Sequence, residues 1–364
     1  MILYSALFVS GYVASFISLF RETKNLTKLL FCLFLVSMFV LSGFRSLNVG
    51  YDNIGHFNYF SWIADGRLLF FEFKEPGFGF FSLIMSLIGG YNLFLVAYSF
   101  VLLMLLVVVI RYFSINPLFS LYIYLSMYFL GNNMGKIRQA MAVLFVLIAL
   151  IFLFKRENKL FLLFVFIGAS FQATVLFSLL LLPLSYVKLT KNRMVVIALI
   201  AILIGLVDAP RYVLDAVLDS GWIERFSFLG ISRITFYAET DAFVRSSGGY
   251  LGFSYKSFLL LLTVFFYNKI ARIDSEGKAL FLFGVQFWGL VFFFMMCNLS
   301  LLNSRATMAF LMVEMLVVPY IVKAISSKSI RLAFVTLYLL AVFLIGYTNF
   351  IEIADYFVPF EFFF

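Results

Sequence analysis

Apolar runs recur along the whole of this chain, each near the length of about 20 residues that a helix needs to cross a bilayer. A helix satisfies its own backbone N–H and C=O groups, which is why hydrocarbon accepts helices and rejects open strands and loops. The repetition therefore dictates an all-α, polytopic membrane protein. Composition agrees, with 64% hydrophobic and only 12% charged residues, against about 25% charged in soluble domains. No stretch is long and polar enough for a separate soluble domain, so residues 1–364 are read as one integral membrane domain. The first twenty residues lack the basic n-region and small-residue cleavage site of a signal peptide and are read as a retained first span. Cys32 and Cys297 fall inside apolar runs and are read as small hydrophobes.

The breaks between the runs are of two kinds. Six are basic: 21–28, the region of Arg111, 155–159, 188–193, 269–278 and 323–331. They hold sixteen of the 27 Lys and Arg residues with only four acids, a net charge of +12, while the rest of the chain carries −3. The positive-inside rule places these six in the cytoplasm. The overall +9 is thus a topology signal, and no nucleic-acid partner is needed.

The second kind of break is chemically richer: 45–77, 131–138, the polar notch 170–174, the long loop 208–254, and 298–305. Alternation then assigns about twelve transmembrane helices, near 2–20, 29–44, 91–110, 117–131, 138–154, 160–171, 173–187, 194–207, 255–268, 279–298, 306–322 and 332–349, with the N-terminus outside. Segment 78–90 is apolar but short. Counted as a span it would invert every later basic loop, so it is read as a re-entrant or partly inserted helix. Segments 45–77 and 208–254 become outer-face loops. In the second, Asp208 and Pro210 mark a helix start, and "RYVLDAVLDSGW" has the interleaving of an interfacial helix.

This topology gathers Arg45, Asp52, His56, Glu75, Lys136, Arg138, Gln139, Gln172, Arg233, Tyr237, Asn298 and Arg305 at one membrane face. Ionisable groups at membrane depth are costly and mark functional sites. "GNNMGKIRQAMA" predicts a helix start with Arg138 in the first turn, and "NLSLLNSRATMAF" predicts the same for Arg305, with Asn303 or Ser304 as cap. A cation is disfavoured at a helix N-terminus, where the dipole is already positive. With free N–H groups beside it, such a cation suits a phosphate or pyrophosphate. Asp52 and His56 are candidates for a general base, and Gly50 and Gly55 favour a turn over a helix around them. Glu75 precedes a Pro76-Gly77 turn that fixes a carboxylate at the interface. Glu314 sits near the middle of a span and is read mainly as structural. One histidine and no metal-ligand spacing make a protein-built zinc site improbable.

Quoted in order, "FRSLNVGYDNIGHFNYF", "EPGFGFF", "IRQAMAVLF", "SFQATVLFSLLLLPLSY", "SRITFY" and "NSRATMAF" resemble the motifs of the EpsG-like branch of Wzy-type polysaccharide (O-antigen) polymerases. The resemblance covers roughly 45 to 322. It departs at Tyr51, where the family has Thr, at His56, where it has an aromatic, and at Gln172, where it has His. It implies a membrane glycosyltransferase that moves a glycan from undecaprenyl pyrophosphate to a sugar hydroxyl of a second lipid-linked repeat unit at the outer, periplasmic face of the bacterial plasma membrane. In that reading Arg138, Arg305 and Arg233 hold pyrophosphate, with Gln139, Gln172 and Tyr237 at the substrate. Asp52, His56 or Glu75 is the base, and Arg45 orients it or contacts sugar. No cofactor or metal is called for, although a divalent ion at Asp52 and Glu75 is an alternative. Expected partners are lipid-linked oligosaccharides, membrane lipid and a chain-length regulator. A flippase of lipid-linked oligosaccharide and an O-antigen-ligase-like enzyme are the competing readings.

Overall fold

The computed structural model of the protein describes residues 2–20, 24–68, 73, 75–219 and 249–363. Among them the regular structure is helical, and the sole β-type pairing is an isolated bridge between Arg45 and Phe362. The helices are α1 (Ile2–Phe20), α2 (Lys24–Gly43), α3 (Asn53–Ala64), α4 (Pro76–Ile88), α5 (Tyr91–Phe113), α6 (Pro117–Tyr124), α7 (Ile137–Phe154), α8 (Asn158–Phe171), α9 (Leu181–Leu184), α10 (Lys191–Leu206) and α11 (Ala209–Asp219). After the 220–248 segment come α12 (Gly249–Ile273), α13 (Lys278–Met295), α14 (Ser300–Ala306), α15 (Met308–Leu311), α16 (Glu314–Ala324) and α17 (Lys328–Glu352).

Among the described residues, seven helices are long and apolar enough to cross a membrane: Ile2–Leu19, Lys24–Gly43, Tyr91–Phe113, Ile137–Phe154, Leu251–Ile273, Lys278–Met295 and Lys328–Glu352. The chain is a multi-pass membrane protein of the all-α class. The other five expected spans fall on shorter or interrupted helices. Gln172 is extended (φ −158, ψ 110) and separates α8 from a 3-10 helix, Ala173–Leu180. This is the split expected at the polar notch. The 306–322 segment is broken into α15 and α16 just before Glu314. Segment 78–90 forms the 13-residue α4, which at about 1.5 Å per residue is too short to span hydrocarbon.

The expected outer turn at 131–138 is not a turn. Helix α6 continues as a π-helix, Leu125–Gly135, that carries Asn132 and Asn133 inside the protein, each 3% exposed. π-Helical geometry is rare and is found disproportionately at functional sites. Burial identifies the centre of the bundle. Of the residues of α7, 78% are buried, against 28% for the spans of α1, α12 and α17, which turn much of their surface outward. The α6–π–α7 unit is thus the spine, with α5, α8, α16 and α17 packed against it. The helix expected after Asp208 is present as α11, beginning at Ala209 with Pro210 in its first turn.

Candidate active site

Helix α7 begins one residue after Lys136, so Arg138 lies in its first turn as the sequence predicts. The guanidinium forms an ion pair with Glu75. The pair is asymmetric: Arg138 keeps 32% of its side-chain surface while Glu75 keeps 7%. Arg138 therefore faces solvent, and Glu75 holds it from below. Glu75 caps α4 in a non-helical conformation (φ −131, ψ 89), and Pro76 supplies the fixed φ that starts a helix well. Phe78, one turn on, lies under Arg138, with the guanidinium carbon 5.6 Å from the ring centre. Gly77 is required by close approach. A Cβ there would collide with the Ser170 hydroxyl and meet the Phe171 ring at 3.0 Å. The glycine thus lets the Glu75 turn rest on the end of α8, next to Gln172, which is 8% exposed. Three motifs far apart in sequence meet here.

Asp52 stands at the start of α3, exposed at its surface, in the fields of Arg138, Lys136 and Arg305. Partial burial holds its carboxyl above the ordinary carboxylate pKa, and the three cations pull it back. Lys136 is pushed the other way, downward, by burial and by Arg305, with Asp52 opposing. Tyr51 completes the group. Its hydroxyl donates to the Gly131 carbonyl at 2.9 Å, and its ring covers Gly135, leaving no room for a Cβ. Burial and the neighbouring Asp52 raise its pKa, so it remains a neutral phenol. Asp52, Lys136, Arg138 and Arg305, with Tyr51, thus form one polar group with cations in excess.

His56 departs from expectation in conformation and in environment. Gly50 supplies the turn, with φ +111, but α3 starts at Asn53, and Gly55 and His56 are helical. His56 is 4% exposed, its backbone N–H bonds the Asp52 carbonyl at 3.0 Å, and its ring donates to the Gly135 carbonyl. Burial, with Arg138 and Arg45 adding, pushes its pKa down to about 3. A neutral imidazole with so little proton affinity is a weak base, and the ring reaches no incoming hydroxyl. Its geometry is that of a brace between α3 and the π-helix.

Arg45 is fully buried. One guanidinium nitrogen donates to the Ser42 carbonyl at 2.7 Å and to the Asn133 carbonyl at 3.4 Å. Burial lowers its pKa to about 10, which leaves it charged. No solvent-borne sugar meets it in this arrangement, and its described contacts tie the end of α2 to the π-helix. The C-terminal segment joins the same knot. The Ser46 N–H donates to the Glu361 carbonyl at 2.8 Å and the Gly50 N–H to the Tyr356 carbonyl at 2.7 Å.

Arg305 corrects a second expectation. It lies in the last turn of the seven-residue α14, not the first turn of a long helix. Asn303 caps nothing: it is buried, and its amide donates to the Phe293 carbonyl at 2.9 Å. The argument from a helix N-terminus therefore fails for Arg305, while its place beside Asp52, Tyr51 and Lys136 stands. Gln139 is buried in the first turn of α7. Arg233 and Tyr237 lie outside the described residues. Glu314 pairs elsewhere, with the hydroxyls of Tyr255 and Tyr338 and with Lys256 at 3.7 Å. No group of three His, Cys, Asp or Glu among the described residues is placed to hold a metal.

The sequence named Lys136 at the outer face but gave it no role, although it adjoins Arg138 and carries a charge into a half-buried position. Tyr51 entered only as a departure from the family motif. The part played by the 356–361 segment had no sequence signal beyond its aromatic content.

Fold and site together define a multi-pass membrane protein with a cation-rich polar site where several helix ends meet. The chain belongs to the EpsG family: a model of that family matches residues 28–362. Membership points to a polysaccharide-polymerase-like membrane protein, a glycosyltransferase-like enzyme. No curated protein and no solved structure matches the chain.

Proposed function

We propose that the protein transfers a growing glycan from undecaprenyl pyrophosphate to a sugar hydroxyl of a second lipid-linked repeat unit, at the periplasmic face of the bacterial plasma membrane. The observation that carries this reading is the exposed Asp52 carboxylate within the electrostatic reach of Lys136, Arg138 and Arg305, with Arg138 half-exposed and held by the buried Glu75. Asp52 accepts the proton of the acceptor hydroxyl. The acceptor oxygen forms the new bond to the anomeric carbon as the carbon–oxygen bond to pyrophosphate breaks. The bonding pair leaves on the pyrophosphate, and direct displacement inverts the anomeric centre. Fixed cations around the departing oxygens supply the main stabilisation, because they need no reorganisation as charge develops. Glu75 keeps Arg138 aimed, and Gln139 and Gln172 shape the floor. His56 and Arg45 brace the loop that carries Asp52. Arg233 and Tyr237 are assigned to the substrate by family resemblance, and a chain-length regulator is the expected protein partner. The outer-face assignment rests on the charge asymmetry of the loops.

The test is reconstitution with purified lipid-linked repeat units. A ladder of lengthening glycans is expected, and Asp52→Asn should reduce it by about 10²–10⁴-fold, the range for a general base. Translocation of intact donor without new glycosidic bonds would replace this reading with a flippase. An undiminished ladder from Asp52→Asn would move the base elsewhere.

A further inference from the structure

At the opposite, basic-loop end of the bundle a cavity of about 810 Å³ opens between α1, α2, α5 and α6. Its rim carries Lys24 and Lys28 from the first turns of α2 and Arg111 from the last turn of α5. All three are exposed, and among the described residues none is in an ion pair and no carboxylate lines the cavity. Below the rim, Ser18, Thr27 and Asn116 share the wall with apolar residues, among them Phe31, which is buried, and Cys32, which is exposed. The flanks continue the apolar surface outward: Leu29, Leu33 and Val36 of α2 are 56%, 53% and 58% exposed, and Met104 and Val108 of α5 are 50% and 47% exposed. Such surface on a membrane-spanning helix faces acyl chains. The cavity therefore offers cations at headgroup level and, beneath them, a mixed wall that runs into lipid-facing apolar flanks.

We infer that this cavity binds an anionic phospholipid of the inner leaflet, with its phosphate among Lys24, Lys28 and Arg111 and one acyl chain along Phe31 and Cys32. Repulsion among the three rim cations is relieved by a negative headgroup, and basic pockets between helices at the cytoplasmic side are suited to such headgroups. A zwitterionic headgroup brings its own cation to the rim and relieves less. The site is separate from the Asp52 group and does not depend on the polymerase reading.

Native mass spectrometry of the full chain, taken from mixed micelles of phosphatidylglycerol and phosphatidylcholine, tests it. Phosphatidylglycerol should be retained at least about tenfold over phosphatidylcholine. The Lys24→Gln/Lys28→Gln/Arg111→Gln variant should bring the ratio near one, and Lys188→Gln/Lys191→Gln/Arg193→Gln, in another basic loop, should leave it unchanged. Equal loss in both variants would show a diffuse charge effect and overturn the site. Displacement of the lipid by millimolar inorganic phosphate would make a free anion the ligand and overturn the lipid assignment. A second measurement leaves the charges intact. In Cys32→Trp, phosphatidylglycerol brominated on its acyl chain should quench the added indole well beyond brominated phosphatidylcholine. Equal quenching would also overturn the proposal.

Discussion

Two arginine-bearing junctions, "GNNMGKIRQ" and "LLNSRATM", have the same local grammar of asparagine, a small residue and then an arginine before an apolar run. They fold differently. Arg138 opens an 18-residue helix, sits on Phe78 and is held by a buried carboxylate. Arg305 closes a seven-residue helix, and the asparagine two residues before it is spent on the Phe293 carbonyl. The difference shows that cap-like residues set only the local possibilities. The direction in which a helix leaves the junction depends on which buried carbonyl or carboxylate waits for each side chain.

The largest test of this contrast is Arg138→Ala. Loss of a preorganised cation should cut chain growth by about 10²–10³-fold. It also removes the ion-pair partner of Glu75, which is 6% exposed, and should lower the melting temperature. Adding Glu75→Gln should recover the stability while activity stays low. Recovery of both would make the pair purely structural.

A smaller effect is expected at the other junction, and its two residues should separate. Arg305→Ala should reduce activity by about tenfold, as expected for losing an interaction of some 1.4 kcal/mol, with thermal stability unchanged. Asn303→Ala should cost about 1–3 kcal/mol, because it leaves the buried Phe293 carbonyl without its donor. Its folded fraction should remain active. An Arg305→Ala defect as deep as that of Arg138→Ala would restore the equivalence of the two junctions.

The last effect touches stability alone and only in acid: the acid sensitivity contributed by His56. Its folded pKa, about 3, lies below the unfolded value of about 6.5, so the unfolded chain binds the proton more tightly. Above pH 6.5 the residue adds no pH dependence. As pH falls from 6.5 toward 3, stability should drop by up to about 1.4 kcal/mol per pH unit. Below the folded pKa the loss should level off. Melting temperature against pH for the parent and for His56→Gln should diverge in that window, and parallel curves would mean that the ring is protonated or exposed in the fold.

Much of this molecule was legible in the linear chain. The apolar runs, the break at Gln172, the helix after Asp208 and the shortness of α4 follow from hydrophobicity and backbone chemistry over a few neighbouring residues. Arg138 and Glu75 were legible for the same reason, since a proline-started helix and a first-turn arginine are local events. His56 and Arg45 were not. Both looked like outer-loop chemistry, because sequence records charge and gives no sign of how deeply a loop is covered. The π-helix at 125–135 was also invisible: no local residue pattern marks its wider winding, and it packs against α7 and α17.

By itself the sequence determined the class of protein: an integral membrane chain of many helices, with a charge asymmetry and a set of polar motifs on one side of it. These are properties of transfer from water to hydrocarbon, which sum residue by residue along the chain. Only the tertiary structure decided which of those motifs share a site. It set Asp52 among Lys136, Arg138 and Arg305, removed His56 and Arg45 from solvent, and gave Glu75 to Arg138. Field and burial depend on every neighbour within a few ångströms, and in a helical bundle most of those neighbours are distant in sequence.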